Sequence, residues 1–205
     1  MGTLYFTADL HFNHRSILNP EYTNRWEALP CDEAHLTLSE QIEAHNRWII
    51  DTINERVTDK DHLYFLGDVA FGSRWEAAAL IDQINGHKHL VWGNHDSKLV
   101  DFYKASGLFE TVTKYAEVIY SKKRLVLFHA PIAEWENGHH GAIHLHGHTH
   151  GNFDYERAGL SNKRILDVGW DNSKKALGFY GPISFEQVES YMEGRESITH
   201  HGQAD

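Results

Sequence analysis

The chain is short of four things, and each shortage closes off a class of protein. Cysteine occurs once, at Cys31, in 205 residues. A single thiol forms no intrachain disulfide, so the fold is not stapled and nothing points to secretion. No apolar run approaches the roughly 20 residues that a membrane-spanning helix needs. The N-terminus, MGTLYFTADLHF, has neither a basic leader nor a small-residue cleavage site, and its sixth position lacks the Ser or Thr of a myristoylation signal. A cytoplasmic protein is expected. The fourth shortage is positive charge: 19 Lys and Arg stand against 29 Asp and Glu, a net charge of −10 with histidine neutral. Non-specific binding along a nucleic-acid duplex needs a basic surface and is disfavoured. Two divalent cations would reverse the potential inside one cleft, so the acidic balance does not exclude an enzyme that handles phosphate.

Histidine is abundant instead, with 17 residues. Four of them alternate within one stretch, Ala142–Gly151 (AIHLHGHTHG), at His144, His146, His148 and His150. Imidazole is the commonest side-chain ligand for transition metals, and a His-rich tract hints at a metal site. A metal centre also needs carboxylates and imidazoles from elsewhere in the chain.

Hydrophobic patterning predicts an α/β domain. Short β-branched or aromatic runs predict strands at 3–8, 62–66, 89–92, 117–120, 124–128, 142–146 and 164–168. Thr37 with Glu40 reads as a capping box opening a helix to about residue 57, with Ile42, Ile49, Ile53 and Val57 on one face. Ser73 with Glu76 opens a second helix, which stops at Asn85-Gly86. A short helix over 97–106 ends at Gly107, and Ser184 with Gln187 caps a last one to about 192. The polar tail after about 195 is expected to fray. No repeat or linker divides the chain, so residues 1–205 read as a single domain.

The strand ends share a feature. Five of them deliver groups suited to a metal: Asp9 with His11, Asp68, Asn94 with His95, His129, and His148 with His150. Ligands of open α/β sheets gather at the carboxyl ends of strands. Gly67, Gly93 and Gly147 precede three of these groups and are expected to let the backbone turn sharply there.

The ordered words DLH (9–11), GD (67–68), GNHD (93–96), H (129) and GHTH (147–150) resemble the calcineurin-like metallophosphoesterase superfamily. TADLHFNH, Asn24-Arg25, LGDVAFG, HLVWGNHD and HAPI are similar to a subgroup of small bacterial and phage phosphoesterases. Phe71 stands where the family often has a second aspartate. The resemblance implies a four-layer α-β-β-α sandwich with two mixed β-sheets and a metal site at the strand C-terminal ends. It implies two divalent metal ions: Asp9, His11 and His150 on the first, Asn94, His129 and His148 on the second, and Asp68 bridging both. Mixed nitrogen and oxygen donors suit manganese, iron, nickel, cobalt or zinc, with manganese the leading expectation.

The activity implied is a dinuclear metal-dependent phosphoesterase, in which a metal-bound hydroxide attacks a phosphomonoester or phosphodiester. His95 would assist the leaving group, and Asp96 would orient His95. His14, Arg15 and Arg25 follow the first ligands and are placed to touch substrate phosphate. A small phosphorylated substrate, such as a nucleotide or cyclic nucleotide, is the expected partner, with no membrane. Two alternatives stand beside this. A scaffold keeping the fold without chemistry is opposed by His95, which such family members tend to lack. A nuclease acting on nucleic acid is opposed by the charge. His144 and His146 are expected to be structural or near the site and not ligands, since Gly147 breaks the extended register of their strand. His35, His45, His62, His87 and His89 read as surface or packing residues, and His139 and His140 as loop residues. His200 and His201 are expected to take no part, and Trp135 to pack in the interior.

Overall fold

The protein is described here by a computed structural model covering residues 2–29 and 36–199. Cys31, His35, His200 and His201, with the last residues of the expected tail, lie outside the described residues. In chain order the elements are β1 (Leu4–Thr7), α1 (Leu38–Asn54), β2 (His62–Phe65), α2 (Arg74–Ile81), β3 (His87–Val91), α3 (Val100–Ser106), β4 (Thr111–Thr113), β5 (Tyr115–Tyr120), β6 (Lys123–Phe128), β7 (Ile143–His146), β8 (Ile165–Asp167), α4 (Trp170–Leu177), β9 (Ile183–Ser184) and α5 (Phe185–Tyr191).

Two mixed sheets result. The first has the order β4-β3-β2-β1-β9, with β1 to β4 parallel and β9 antiparallel at the edge. The second has the order β5-β6-β7-β8, with an antiparallel hairpin β5-β6 followed by parallel pairings. Helices α1, α2 and α3 supply the crossovers that parallel neighbours require. The three capping boxes expected from sequence are formed at Thr37, Ser73 and Ser184, each with both reciprocal bonds. Gly107 ends α3 in the left-handed conformation at φ 75°.

Alternation along the strands decides which core each side chain enters. Tyr5, Leu63 and Phe65 face α1 and α2, where they meet Ile49, Ile53, Ala77 and Ile81. Leu4 and Phe6 face the other way, onto Leu125, Leu127, Ile143 and Leu145 of the second sheet. The two sheets therefore pack on one another, with helices outside the first. Outside the second sheet, Trp135, Leu160 and Ile198 cover Val126 and Ile165, and these three come from segments with no helix. The outermost layer on that side is irregular, where a helical layer was expected. Strand β4, strand β9 and helix α4 were not foreseen: β4 and β9 have three and two residues, too few to show alternation.

Among the described residues, no helix is long and apolar enough to cross a membrane.

Candidate metal centre

The strand ends of both sheets converge, and the backbone there is strained. Among the described residues nine non-glycine residues have positive φ, and five of them are candidate ligands: Asp9 (56°), His11 (55°), Asp68 (54°), His148 (74°) and His150 (49°). This region is unfavourable for side chains other than glycine, and such strain concentrates at functional sites.

The three glycines have different reasons. Gly67 takes φ 93°, as expected for a sharp turn. Gly93 and Gly147 do not have positive φ and are glycine because of crowding. A Cβ on Gly93 would collide with Asp68 Oδ1, and one on Gly147 with Ala8 Cβ while sitting 2.6 Å from Asp9 Oδ2. Gly147→Ala should therefore displace Asp9 and weaken metal binding by at least about tenfold, the scale of disturbed ligand support. Equilibrium dialysis against manganese measures this; unchanged affinity would show that Asp9 has room to move.

The side chains form two groups. Asp9, His11 and His150 each offer one ligand atom within 4.8 Å of the others, and so do Asp68, His129 and His148. Asp68 Oδ2 lies 3.4 Å from His129 Nε2 and 4.0 Å from His11 Nε2, facing both groups. Asn94 Oδ1 lies 2.9 Å from His129 Nε2. Asp9 Oδ1 and both ring nitrogens of His11 are buried without a hydrogen-bond partner. Buried polar atoms are normally satisfied, so these orphans fit a centre completed by cations. Burial, with Asp167 nearby, pushes the Asp9 carboxyl up to about 7. Burial, followed by the neighbouring Arg25 guanidinium, holds His11 far below the usual imidazole range, which keeps it in the neutral form that binds metals.

Outer partners aim the rings. His129 Nδ1 donates to Leu66 O at 2.7 Å, which leaves Nε2, the nitrogen facing Asn94 and Asp68, as the one available to a cation. His150 Nδ1 donates to Asp171 Oδ2 at 2.6 Å. Asp167 accepts from Thr149 Oγ1 at 2.7 Å and Gly151 N at 3.1 Å, fixing the loop that carries His148 and His150. Asp9 Oδ2 accepts from His148 N at 2.8 Å, tying the first strand end to the last. Asp167 and Asp171 were missed in the sequence reading. A Val-Gly-Trp run between them gives no sign of metal chemistry, and their partners are distant in sequence.

Three expectations change. Arg25 does not reach substrate: it is fully buried, with Nε and Nη2 each 2.8 Å from Asp171 and bonds to Leu10 O at 2.9 Å and Asp9 O at 2.6 Å. Four of its five N–H donors are taken by these contacts. Asp96 does not orient the His95 ring: it is fully buried and accepts from Asp68 N and Gly93 N, both at 2.8 Å, and Val69 N at 3.0 Å. A carboxylate satisfied by three backbone donors has turned away from its exposed neighbour. Arg15 is exposed and does not line the cleft beside the centre.

That cleft, of about 420 Å³, is lined by His11, His14, Tyr22, His95 and His150 among others. His95 is half-exposed, its Nε2 3.8 Å from Asp68 Oδ2 and its backbone N bonded to Asp68 Oδ1 at 2.9 Å. Phe71 packs against His11, His14 and His95, with centroids 5.4, 4.2 and 5.0 Å away, and so backs three of the histidines that line the cleft. His144 and His146 are structural. His144 bonds Val126 O and Ile132 N, and His146 bonds Gly147 O and Tyr155 Oη. Trp135 is buried and donates to Ala142 O.

Fold and site together define an α/β protein whose Asp and His groups can hold metal ions at the ends of its strands. No family model matches the chain. An uncharacterized protein of Methanocaldococcus jannaschii is 28% identical over 196 residues, covering 94% of this chain and 93% of that protein. The gene 66 protein of Mycobacterium phage D29 is 28% identical over 196 residues, covering 83% of this chain and 89% of its own. In three dimensions the chain is similar to a protein of unknown function from Aquifex aeolicus, with TM-score 0.64 and 20% identity over 93% of this chain and 99% of that one, so the two share a fold.

Proposed function

We propose that the protein is a dinuclear metal-dependent phosphoesterase of the calcineurin-like kind. The observation that carries this is the pair of three-donor groups, with Asp68 Oδ2 within 4.0 Å of a ring nitrogen of each and the Asp9 and His11 atoms left unpartnered. Asp9, His11 and His150 would hold one cation, His129, His148 and Asn94 the other, and Asp68 both. Cations bound there supply Lewis acidity toward phosphoryl oxygens and toward water.

The chain's own residues do the rest. A carboxylate shared between two cations offsets their repulsion, and the backbone bond from His95 N holds Asp68 for that role. The Leu66 carbonyl and the Asp171 carboxylate fix the His129 and His150 rings with Nε2 turned inward. His95 stands at the cleft rim, close enough to Asp68 to face a bound phosphate and exposed enough to exchange protons, and is the group we assign to protonate the leaving oxygen. The cleft volume suits a small phosphorylated substrate.

Protein stripped of metal and resupplied with manganese should hydrolyse p-nitrophenyl phosphate or bis(p-nitrophenyl) phosphate, and the chelated protein should not. No turnover with manganese, iron, cobalt, nickel or zinc overturns the proposal. Asp68→Asn should weaken both metal equivalents together in equilibrium dialysis. Loss of only one would contradict its shared position.

A further inference from the structure

A second histidine cluster lies at the other end of the first sheet. Strands β2 and β3 run parallel, and their first residues, His62 and His87, are paired in register. These residues open the strands, whereas the candidate centre lies beyond the strands' last residues. The His62 and His87 rings lie side by side with centroids 4.8 Å apart. His89, two residues further along β3, presents its ring to the same face, 5.4 Å from that of His62. Glu110 precedes β4 and reaches over: Oε1 is 2.5 Å from His87 Nδ1 and Oε2 3.7 Å from His89 Nε2.

The ring nitrogens are aimed at one another. His62 Nδ1 and His89 Nε2 are 3.1 Å apart, and His89 Nδ1 is 3.1 Å from Thr111 Oγ1. When Nδ1 of His89 donates to the threonine hydroxyl, Nε2 is a lone pair pointing at His62 and Glu110. One ligand atom each from His62, His89 and Glu110 lie within 4.8 Å of one another. His89 is 7% exposed, so its ring is held in place between its neighbours. Two or three imidazoles with one carboxylate form a donor set for zinc or a similar borderline cation, and a poor one for calcium or magnesium.

We propose that His62, His89 and Glu110 form a mononuclear site for a zinc-like divalent cation, with His87 orienting Glu110, separate from the centre at the strand ends. A cation there cross-links β2, β3 and the start of β4. It would stabilise the fold without entering the cleft. The spacing HKH at 87–89, with a histidine opening the neighbouring strand, is its sequence trace.

The test is a zinc titration of the full chain, freed of metal, followed by elemental analysis after gel filtration. His62→Gln and Glu110→Gln, at the end of the sheet where its strands begin, should each bind one zinc equivalent per chain fewer than wild type and show a smaller zinc-induced rise in melting temperature. Their manganese-dependent hydrolysis should be unchanged. Asp68→Asn, which impairs the other centre, should keep this equivalent. In wild type, the ring nitrogen resonances of His62 and His89 should shift on zinc addition, a readout that needs no variant to fold. Equal zinc content in the variants, or unmoved His62 and His89 resonances, overturns the site.

Discussion

Replacing Arg25 with leucine should lower folding stability by about 3–5 kcal/mol, the range found when one partner of a buried ion pair is removed. Arg25 is fully buried, and its guanidinium ties its own segment to two others, through the Asp171 carboxylate on α4 and the carbonyls of Asp9 and Leu10 at the end of β1. Leucine fills much of the volume but leaves Asp171 with His150 alone and two carbonyls unpaired. For a chain of this size the loss corresponds to a fall in melting temperature of roughly 6–20 °C, read by calorimetry in chelator. Arg15→Leu, at an exposed position, should stay within about 0.5 kcal/mol of wild type. A drop of less than about 1 kcal/mol for Arg25→Leu would mean that Asp171 finds another partner.

The pH dependence has a defined sign. Burial opposes ionisation of Asp171, but Arg25, foremost among its partners, and His150 hold its carboxyl well below the usual carboxylate range. A depressed folded-state pKa contributes stability that is present above the unfolded value, near 4, and is lost as pH falls through the folded one. The gap between wild type and Arg25→Leu should therefore be full at pH 6–7 and narrow on acidification below about pH 4.

The parts of this molecule legible in sequence are those whose cause is local. A capping box is a reciprocal bond across three residues, and all three boxes formed. Four of the seven candidate ligands, Asp68, Asn94, His148 and His150, follow Gly-Asp, Gly-Asn or Gly-His, words that mark where a strand stops, whereas Asp9, His11 and His129 follow their strands directly. Arg25 and Asp171 are 146 residues apart, and nothing near either announces the other. Thr149 and Asp167 likewise meet only through the pairing of β7 with β8. The HLH alternation at 144–146 was informative in another way. Leu145 enters the core between the sheets, which sends His144 and His146 to the opposite face, away from the cleft.

Asp96 and His95 adjoin in sequence and should fail in opposite ways when replaced. His95→Gln removes a half-exposed ring whose nitrogens make no short bond to the fold, so stability should stay within about 0.5 kcal/mol of wild type. Its rate of ester hydrolysis should fall by about 10²–10⁴, the usual contribution of a positioned proton donor. Asp96→Asn changes one atom and acts on the scaffold. The two carboxylate oxygens accept three backbone N–H groups, from Asp68, Val69 and Gly93. An amide offers one accepting oxygen, so its NH₂ must face at least one of those donors, at a cost of about 1–3 kcal/mol for the unsatisfied group. Those donors belong to the ends of β2 and β3, and the bond at Asp68 N sets the carboxylate assigned to both cations. Loss of metal affinity should therefore accompany loss of stability in Asp96→Asn, and rate should be partly recovered at high manganese. In His95→Gln, added metal should restore nothing. If the two variants instead showed the same rate loss with stability intact, Asp96 would act through the His95 ring after all, and its burial among backbone donors would be incidental.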